Sequence, residues 1–163
     1  MLPHLDAAYN LARWLTRNDA DAQDVVQDAY LRAFRFFPSF QGGSSRAWLL
    51  AIVRNARYAW MRRNRPSELL ALTDETEYAV DAASPSAESE LLWQARRESL
   101  SRCLEQLPLL FREIIVLREL EGMSYRELAE ATELPLGTVM SRLARARKRL
   151  EQCMTTGAKG AAR

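Results

Sequence analysis

The spacing of apolar residues predicts a chain that is almost wholly helical. Along Asp21 to Phe34, Val25, Val26, Ala29, Tyr30 and Ala33 recur at the three- and four-residue steps that stack on one side of an α-helix. Asp24, Gln27, Asp28 and Arg32 are left on another side. From Leu49 to Arg65 the apolar face is Leu49, Ile52, Val53, Ala56 and Trp60, and Arg54, Tyr58, Arg62 and Arg65 make a second face. Between these runs, Pro38 to Ser45 has turn chemistry, and helix resumes at Arg46-Ala47-Trp48. From Glu88 onward Leu91, Leu92, Ala95, Leu100, Cys103, Leu104 and Leu107 form a third stripe, which Pro108 stops.

Past that break the pattern becomes more specific. A helix opening on Pro108 in its first turn would turn Phe111, Ile114, Ile115 and Leu120 inward and stop at Gly122. Ser124-Tyr125-Arg126-Glu127 is a capping box, in which hydroxyl and carboxylate each take a backbone N–H that the helix leaves unpaired. It predicts a short helix, Tyr125 to Ala131, followed by a turn at Thr132-Glu133-Leu134-Pro135. The last helix buries Val139, Leu143, Ala146 and Leu150 and turns Thr138, Ser141, Arg142, Arg145 and Arg149 the other way. Between Leu134 and Leu150 there are five basic residues and no acid. A capped short helix, a tight turn and a helix that starts with small polar residues is the arrangement that sets side chains against base edges in a major groove. Thr138, Ser141 and Arg142 would face bases, and Arg145, Arg147, Lys148 and Arg149 would meet phosphates. A solvated basic helix is the plainer reading, but it leaves the capped helix and the turn unexplained.

Charge divides the chain further. The net charge of +2 conceals +5 over residues 1–66, −7 over 67–95 and +4 over 96–163. The acidic stretch has no Lys or Arg, contains Ser84-Pro85-Ser86, and lacks a sustained amphipathic pattern from Ser67 to Ala87. The expected fold is therefore all-α: two small helical domains, 1–66 and 96–152, joined by an acidic flexible linker at 67–95 that leads into the next helix. A tail at 153–163 completes the chain. Fully stretched, a tether of about 21 residues reaches roughly 70 Å, enough for the domains to meet DNA sites two turns apart.

Several function classes drop out. No apolar run approaches the ~20 residues needed to cross a bilayer, and the start lacks a secretion signal, so no membrane insertion and a cytoplasmic location are expected. His4 is the single histidine, too few for a Cys/His zinc set, so no metal or other cofactor is expected. Cys103 and Cys153, two isolated thiols in a cytosolic chain, are expected to be free. Without a Gly-rich phosphate loop or a nucleophile–base pair, the chain does not read as an enzyme.

Leu107-Pro108 through Gly122-Met123-Ser124-Tyr125-Arg126-Glu127-Leu128-Ala129 to Gly137-Thr138-Val139-Met140-Ser141-Arg142-Leu143-Ala144-Arg145-Ala146-Arg147 closely resembles region 4 of sigma factors, in the extracytoplasmic-function group of the sigma-70 family. The resemblance implies binding to the −35 promoter element and to the flap of the RNA polymerase β subunit. Met140 stands where many relatives carry Lys, a departure at one expected backbone contact. Asp21 to Phe34 resembles region 2.2, which implies that Asp24, Gln27, Asp28 and Arg32 dock on the coiled coil of the β′ subunit. Pro38 to Ser45 corresponds to the region 2.3 loop, which makes Phe40 and Gln41 candidates for capturing a flipped base of the −10 element. Arg54, Asn55, Arg57, Tyr58, Arg62 and Arg65 match region 2.4, which reads that element, while Trp48 and Trp60 are assigned to packing. The acidic tether corresponds to the family linker that runs through the polymerase cleft. Relatives usually begin a helical turn or more before the equivalent of Pro3-His4-Leu5, so either a short first helix or a start site assigned late is expected. These features imply a promoter-specificity factor whose partners are core polymerase, promoter DNA and, where one restrains it, an anti-sigma factor. The alternative is a free-standing helix-turn-helix regulator that binds duplex DNA without polymerase, and the Asp24-Gln27-Asp28 face argues against it.

Overall fold

The computed structural model describes residues 4–71 and 90–161, and every regular element in them is helical. Three helices, α1 (Leu5–Thr16), α2 (Asp19–Phe36) and α3 (Ser45–Asn64), pack pairwise into an N-terminal unit. Their shared interior holds Leu11, Leu15, Val25, Leu49, Leu50, Val53 and Met61. Local chemistry sets the boundaries. The Asn18 side chain accepts the Asp21 N–H at 3.0 Å to start α2, and the Ser44 hydroxyl accepts the Ala47 N–H at 3.1 Å to start α3. Acids at Asp19 and Asp21 sit in the first turn of α2, where they complement the helix dipole.

A short helix α4 (Pro66–Ala71) stands where the linker was expected to begin. Proline is well placed to open a helix, the Arg65 guanidinium pairs with Glu68 at 3.0 Å, and Leu69 packs partly onto the core. The rest of the expected tether up to Ser89 lies outside the described residues.

The C-terminal unit contains α5 (Glu90–Gln106), α6 (Leu109–Ile115), α7 (Tyr125–Thr132) and α8 (Leu136–Ala161). Pro108 takes a ψ of 144° and caps α6 from outside rather than standing in its first turn. Beyond Ile115 the chain widens into a π-turn, Val116–Leu120, with the Glu121 N–H bonded to the Val116 carbonyl at 3.0 Å. The extra residue rotates the downstream positions by about 100°. Leu120, expected inward, is consequently 51 % exposed, and Val116 and Leu117 fill the interior instead. Gly122 then turns the chain at φ +69°. On α5, Leu91, Leu92 and Leu100 are exposed, contrary to the expected stripe, while Cys103, Leu104 and Leu107 are buried. The helix meets α8 mainly through its later turns.

The tail continues α8 as helix to Ala161. One expectation about this end of the chain is corrected. Cys103 and Cys153 are not free but joined in a disulfide between α5 and α8, with Cα atoms 5.8 Å apart although the two lie fifty positions apart in sequence. Their helices lie side by side and both cysteines are buried at the seam. No spacing in the sequence discloses that adjacency.

The two units touch, α1 against α6 and α3 against α7. Arg17 donates to the Glu105 carbonyl across the junction at 2.9 Å, and buried Arg112 donates to the same carbonyl at 2.9 Å. Burial pulls the pKa of the Arg112 guanidinium down to about 10, with Arg17 and Arg57 adding to the effect. A cleft of about 360 Å³ lies along this junction, between Leu15, Arg57 and Trp60 on one side and Leu107, Phe111 and Arg112 on the other. No helix of the described residues is long and apolar enough to cross a membrane.

Candidate nucleic-acid interface

Helices α7 and α8 form the turn expected of a DNA-reading module. The capping box is complete: the Ser124 hydroxyl accepts the Glu127 N–H at 3.1 Å and the Glu127 carboxylate accepts the Ser124 N–H at 2.8 Å. Glu133 stops α7 in the left-handed conformation at φ 56°, and Leu134 bonds back to Ala129. Val139, Leu143 and Ala146 are buried, which fixes the roll of α8 and leaves Gly137, Met140 and Ser141 at its exposed start. Thr138 and Arg142 lie half-buried beside them, and the Ser141 hydroxyl donates to the Thr138 carbonyl at 3.1 Å.

The basic residues of α8 divide by environment. Arg145 and Lys148 are exposed. The Arg149 guanidinium lies over the Phe111 ring at 4.9 Å and that of Arg145 at 5.8 Å, so an aromatic from α6 steadies both cations. Arg147 donates to Glu119 at 2.9 Å, and this hydrogen bond raises its pKa. The interior of the unit thus steadies a cationic row without covering it.

On the N-terminal unit, Asp24 and Gln27 are exposed on α2, and Asp28 is half-buried in an ion pair with Arg32 at 2.9 Å. The loop after α2 opens with one 3-10 turn, Phe37–Ser39. There Phe40 packs against Phe37 and Trp48, with ring centroids 6.3 and 5.1 Å away. Gln41 stands exposed, and both glycines behind it take φ +92°. Phe40 is therefore part of an aromatic cluster that borders the loop. Trp60 is buried, as its packing assignment required.

Helix α3 is where geometry and expectation part. Arg62, Arg65 and Asn55 are exposed. Arg57 is buried, donates Nε–H to the Leu15 carbonyl at 3.1 Å and stacks on Trp60 at 5.2 Å, and burial lowers its pKa. Arg54 and Tyr58 face the C-terminal unit. Arg54 donates to the Glu113 carboxylate, and the Tyr58 hydroxyl donates to its other oxygen at 3.0 Å. Burial pushes the Glu113 carboxyl up, against the pull of Arg54 and Tyr58, and it pushes the Tyr58 phenol up as well.

Three residues of this region escaped sequence reasoning: Arg46, Glu113 and Glu121. Arg46 donates to both the backbone carbonyl and the carboxylate of Glu121, whose pKa burial also raises. One signal was available. Arg112 and Glu113 interrupt an apolar run, Phe111 to Leu117, whose density demands burial, so a charged pair there needs partners.

Comparison with known proteins agrees with this architecture. The family description "Sigma-70 region 2" matches residues 2–66, and "Sigma-70, region 4" matches residues 97–150. The chain is 35 % identical over 150 residues to the ECF RNA polymerase sigma-E factor of Haemophilus influenzae, covering 86 % of this chain and 77 % of that protein. Against the sigma-E factor of Escherichia coli K12 it is 36 % identical over 138 residues, 80 % of this chain and 72 % of that protein. Against ECF RNA polymerase sigma factor SigE of Mycolicibacterium smegmatis it is 34 % identical over 147 residues, 90 % of this chain but only 57 % of that longer relative. Among solved structures, the sigma factor RpoE in complex with the anti-sigma factor NepR from Bartonella quintana superposes with a TM-score of 0.70 at 29 % identity, covering 94 % of this chain and 93 % of that one. CnrH in complex with the cytosolic domain of CnrY gives 0.63 at 28 %, with 95 % and 84 % covered. With both sigma-70 regions in order and this degree of identity to full relatives, the chain belongs to the extracytoplasmic-function sigma factors of the sigma-70 family.

Proposed function

We propose that this chain binds core RNA polymerase and directs promoter-specific initiation, reading a −35 element with α8 and a −10 element with α3 and the loop before it. The observation that carries the reading is the capped α7–turn–α8 module, whose interior sets the roll of an open cationic helix, in a chain that also carries the second sigma region. Residues 96–152 would serve the −35 element: Thr138, Ser141 and Arg142 at base edges, and Arg145, Arg147, Lys148 and Arg149 on phosphates. Residues 1–66 would dock on polymerase through Asp24, Gln27, Asp28 and Arg32. Phe40, Gln41, Arg54, Asn55, Tyr58, Arg62 and Arg65 would then hold the unpaired −10 strand, while Arg57, buried against the Leu15 carbonyl and Trp60, would support the helix from inside. Unstacking a base costs a few kcal/mol, which aromatic stacking and edge hydrogen bonds offset.

The work is recognition and strand capture, and bond chemistry is left to the polymerase. A cytoplasmic location follows from that role, and an anti-sigma factor is a natural restraint, since the RpoE neighbour was solved in complex with one. Transcription in vitro from a genomic fragment library tests the reading. Core polymerase plus this chain should yield discrete promoter-initiated transcripts, and Asp24→Arg should remove them. Tight duplex binding that is indifferent to polymerase would favour a free-standing regulator instead.

A further inference from the structure

The cleft at the junction is walled by apolar side chains and by more arginine than acid. Its volume, about 360 Å³, is in the range of small-molecule sites, and Leu15, Met61, Leu107 and Leu109 supply apolar wall. Arg57 and Arg112 line it from the two units although they are only 5 % and 4 % exposed. Their hydrogen bonds go to backbone carbonyls: Arg57 donates to Leu15 at 3.1 Å, and Arg112 to Glu105 and Leu107 at 2.9 and 3.3 Å. On each, a further guanidinium nitrogen is buried with no hydrogen-bond partner among the described residues, Nη1 of Arg57 and Nε of Arg112. Arg17 and Arg57 both lie near enough to Arg112 to lower its pKa. A charge taken out of water without a counter-ion is costly, and a second of the same sign beside it adds to the cost.

The acids of the cleft do not balance this charge. Asp21 and Glu68 pair with Arg65, at 3.7 and 3.0 Å. Glu105 draws the pKa of Arg112 back up through space, without an ion-pair contact among the described residues. Of the residues that line the cleft, Arg17, Arg57, Arg65 and Arg112 stand against Asp21, Glu68 and Glu105, which leaves one positive charge in excess.

We infer that the junction cleft is a binding site for a small organic carboxylate, with its head between the Arg57 and Arg112 guanidiniums and its apolar body against Leu15, Met61, Leu107 and Leu109. A carboxylate offers two acceptor oxygens to a planar guanidinium and brings the missing negative charge with them. A single excess charge matches a singly charged head better than a phosphate dianion. The apolar wall points the same way, since a nucleic-acid strand would set polar sugar and phosphate against it. Arg57, turned inward from the exposed arginines of α3, thereby gains a ligand other than DNA.

Isothermal titration calorimetry of the full-length chain tests the site with octanoate, phenylacetate and indole-3-acetate, each beside the alcohol that keeps its body and lacks its charge. At least one acid should bind saturably at one per chain and about tenfold or more tighter than its alcohol, the margin expected of one charge-assisted contact. Acetate, a head without a body, should bind more weakly than that acid. Arg57→Met removes one cation and keeps the buried stem, so it should erase the advantage of acid over alcohol. Leu110→Trp, at a half-buried wall position, crowds the cleft and should weaken acid and alcohol together. Circular dichroism checks that both variants keep their helices, and saturating acid should raise the melting temperature of the wild-type chain. No saturable binding by any of the three acids would overturn the inference, as would an acid no tighter than its alcohol or one whose affinity both variants leave unchanged. Binding that emerges only when Asp74→Asn, Glu75→Gln, Glu77→Gln and Asp81→Asn are combined would overturn it too, because the cleft would then belong to the chain's own acids.

Discussion

The two helices proposed to read DNA meet opposite fates. Helix α8 turns its cationic row outward, with Arg145 and Lys148 exposed and Phe111 steadying the neighbours, whereas α3 turns Arg54 and Tyr58 into a carboxylate from α6. Both helices have a basic face opposite an apolar one, so amphipathic spacing treats them alike. What separates them is the partner. A face opposite the core of its own unit is open only until another unit is packed on it, and packing between units is not a periodic property of either helix. The contrast also ranks the ion pairs. Arg147–Glu119 is about half-exposed on both sides, while Arg54–Glu113 is nearly excluded from water. Only the second can act as more than surface decoration.

Three changes would sharpen that comparison. The largest effect is expected from reducing the Cys103–Cys153 bridge, which ties α5 to α8 in the C-terminal unit and has no counterpart among the described residues of the N-terminal one. Its loss should cost the C-terminal unit about 2–4 kcal/mol, measured by urea denaturation with and without reductant and checked with Cys103→Ser. A Trp48 or Trp60 signal that reports the N-terminal unit should move much less. Next comes Ser124→Ala, which removes one half of the capping box and should destabilise the unit that carries α8 by about 1 kcal/mol, read as a lowered melting temperature. The smallest is Glu119→Gln. Its exposed pair should contribute less than about 1 kcal/mol to stability, but freeing Arg147 should steepen the salt dependence of duplex binding by up to about one phosphate contact, a log–log slope change near −0.9.

Much of the fold was legible because helices announce themselves locally. The capping box at Ser124, the stop at Gly122 and the stripe from Val139 to Ala146 each act within a turn or two of chain, and each stands where its residues demand. Misreadings arose where the deciding atoms were distant. Leu120 was misplaced because a π-turn shifts its register, and the leucines early in α5 because spacing does not say how far a neighbouring helix extends. The disulfide required knowing that α5 and α8 run together. The same limit applies to the candidate site. The residue types on α3 and α8 could be named from spacing and resemblance, but Glu113 and Glu121 became visible as partners only with both units in place.

Everything functional in the account depends on association with core polymerase, and an equilibrium titration of the labelled full-length chain with purified core enzyme addresses it most directly. Saturable one-to-one binding is expected, weakened by about a hundredfold or more in Asp24→Arg, because the exposed Asp24 carboxylate lies on the face proposed to dock and its reversal would set like charges together there. No saturable binding by the wild-type chain, or binding that Asp24→Arg leaves unchanged, would contradict it.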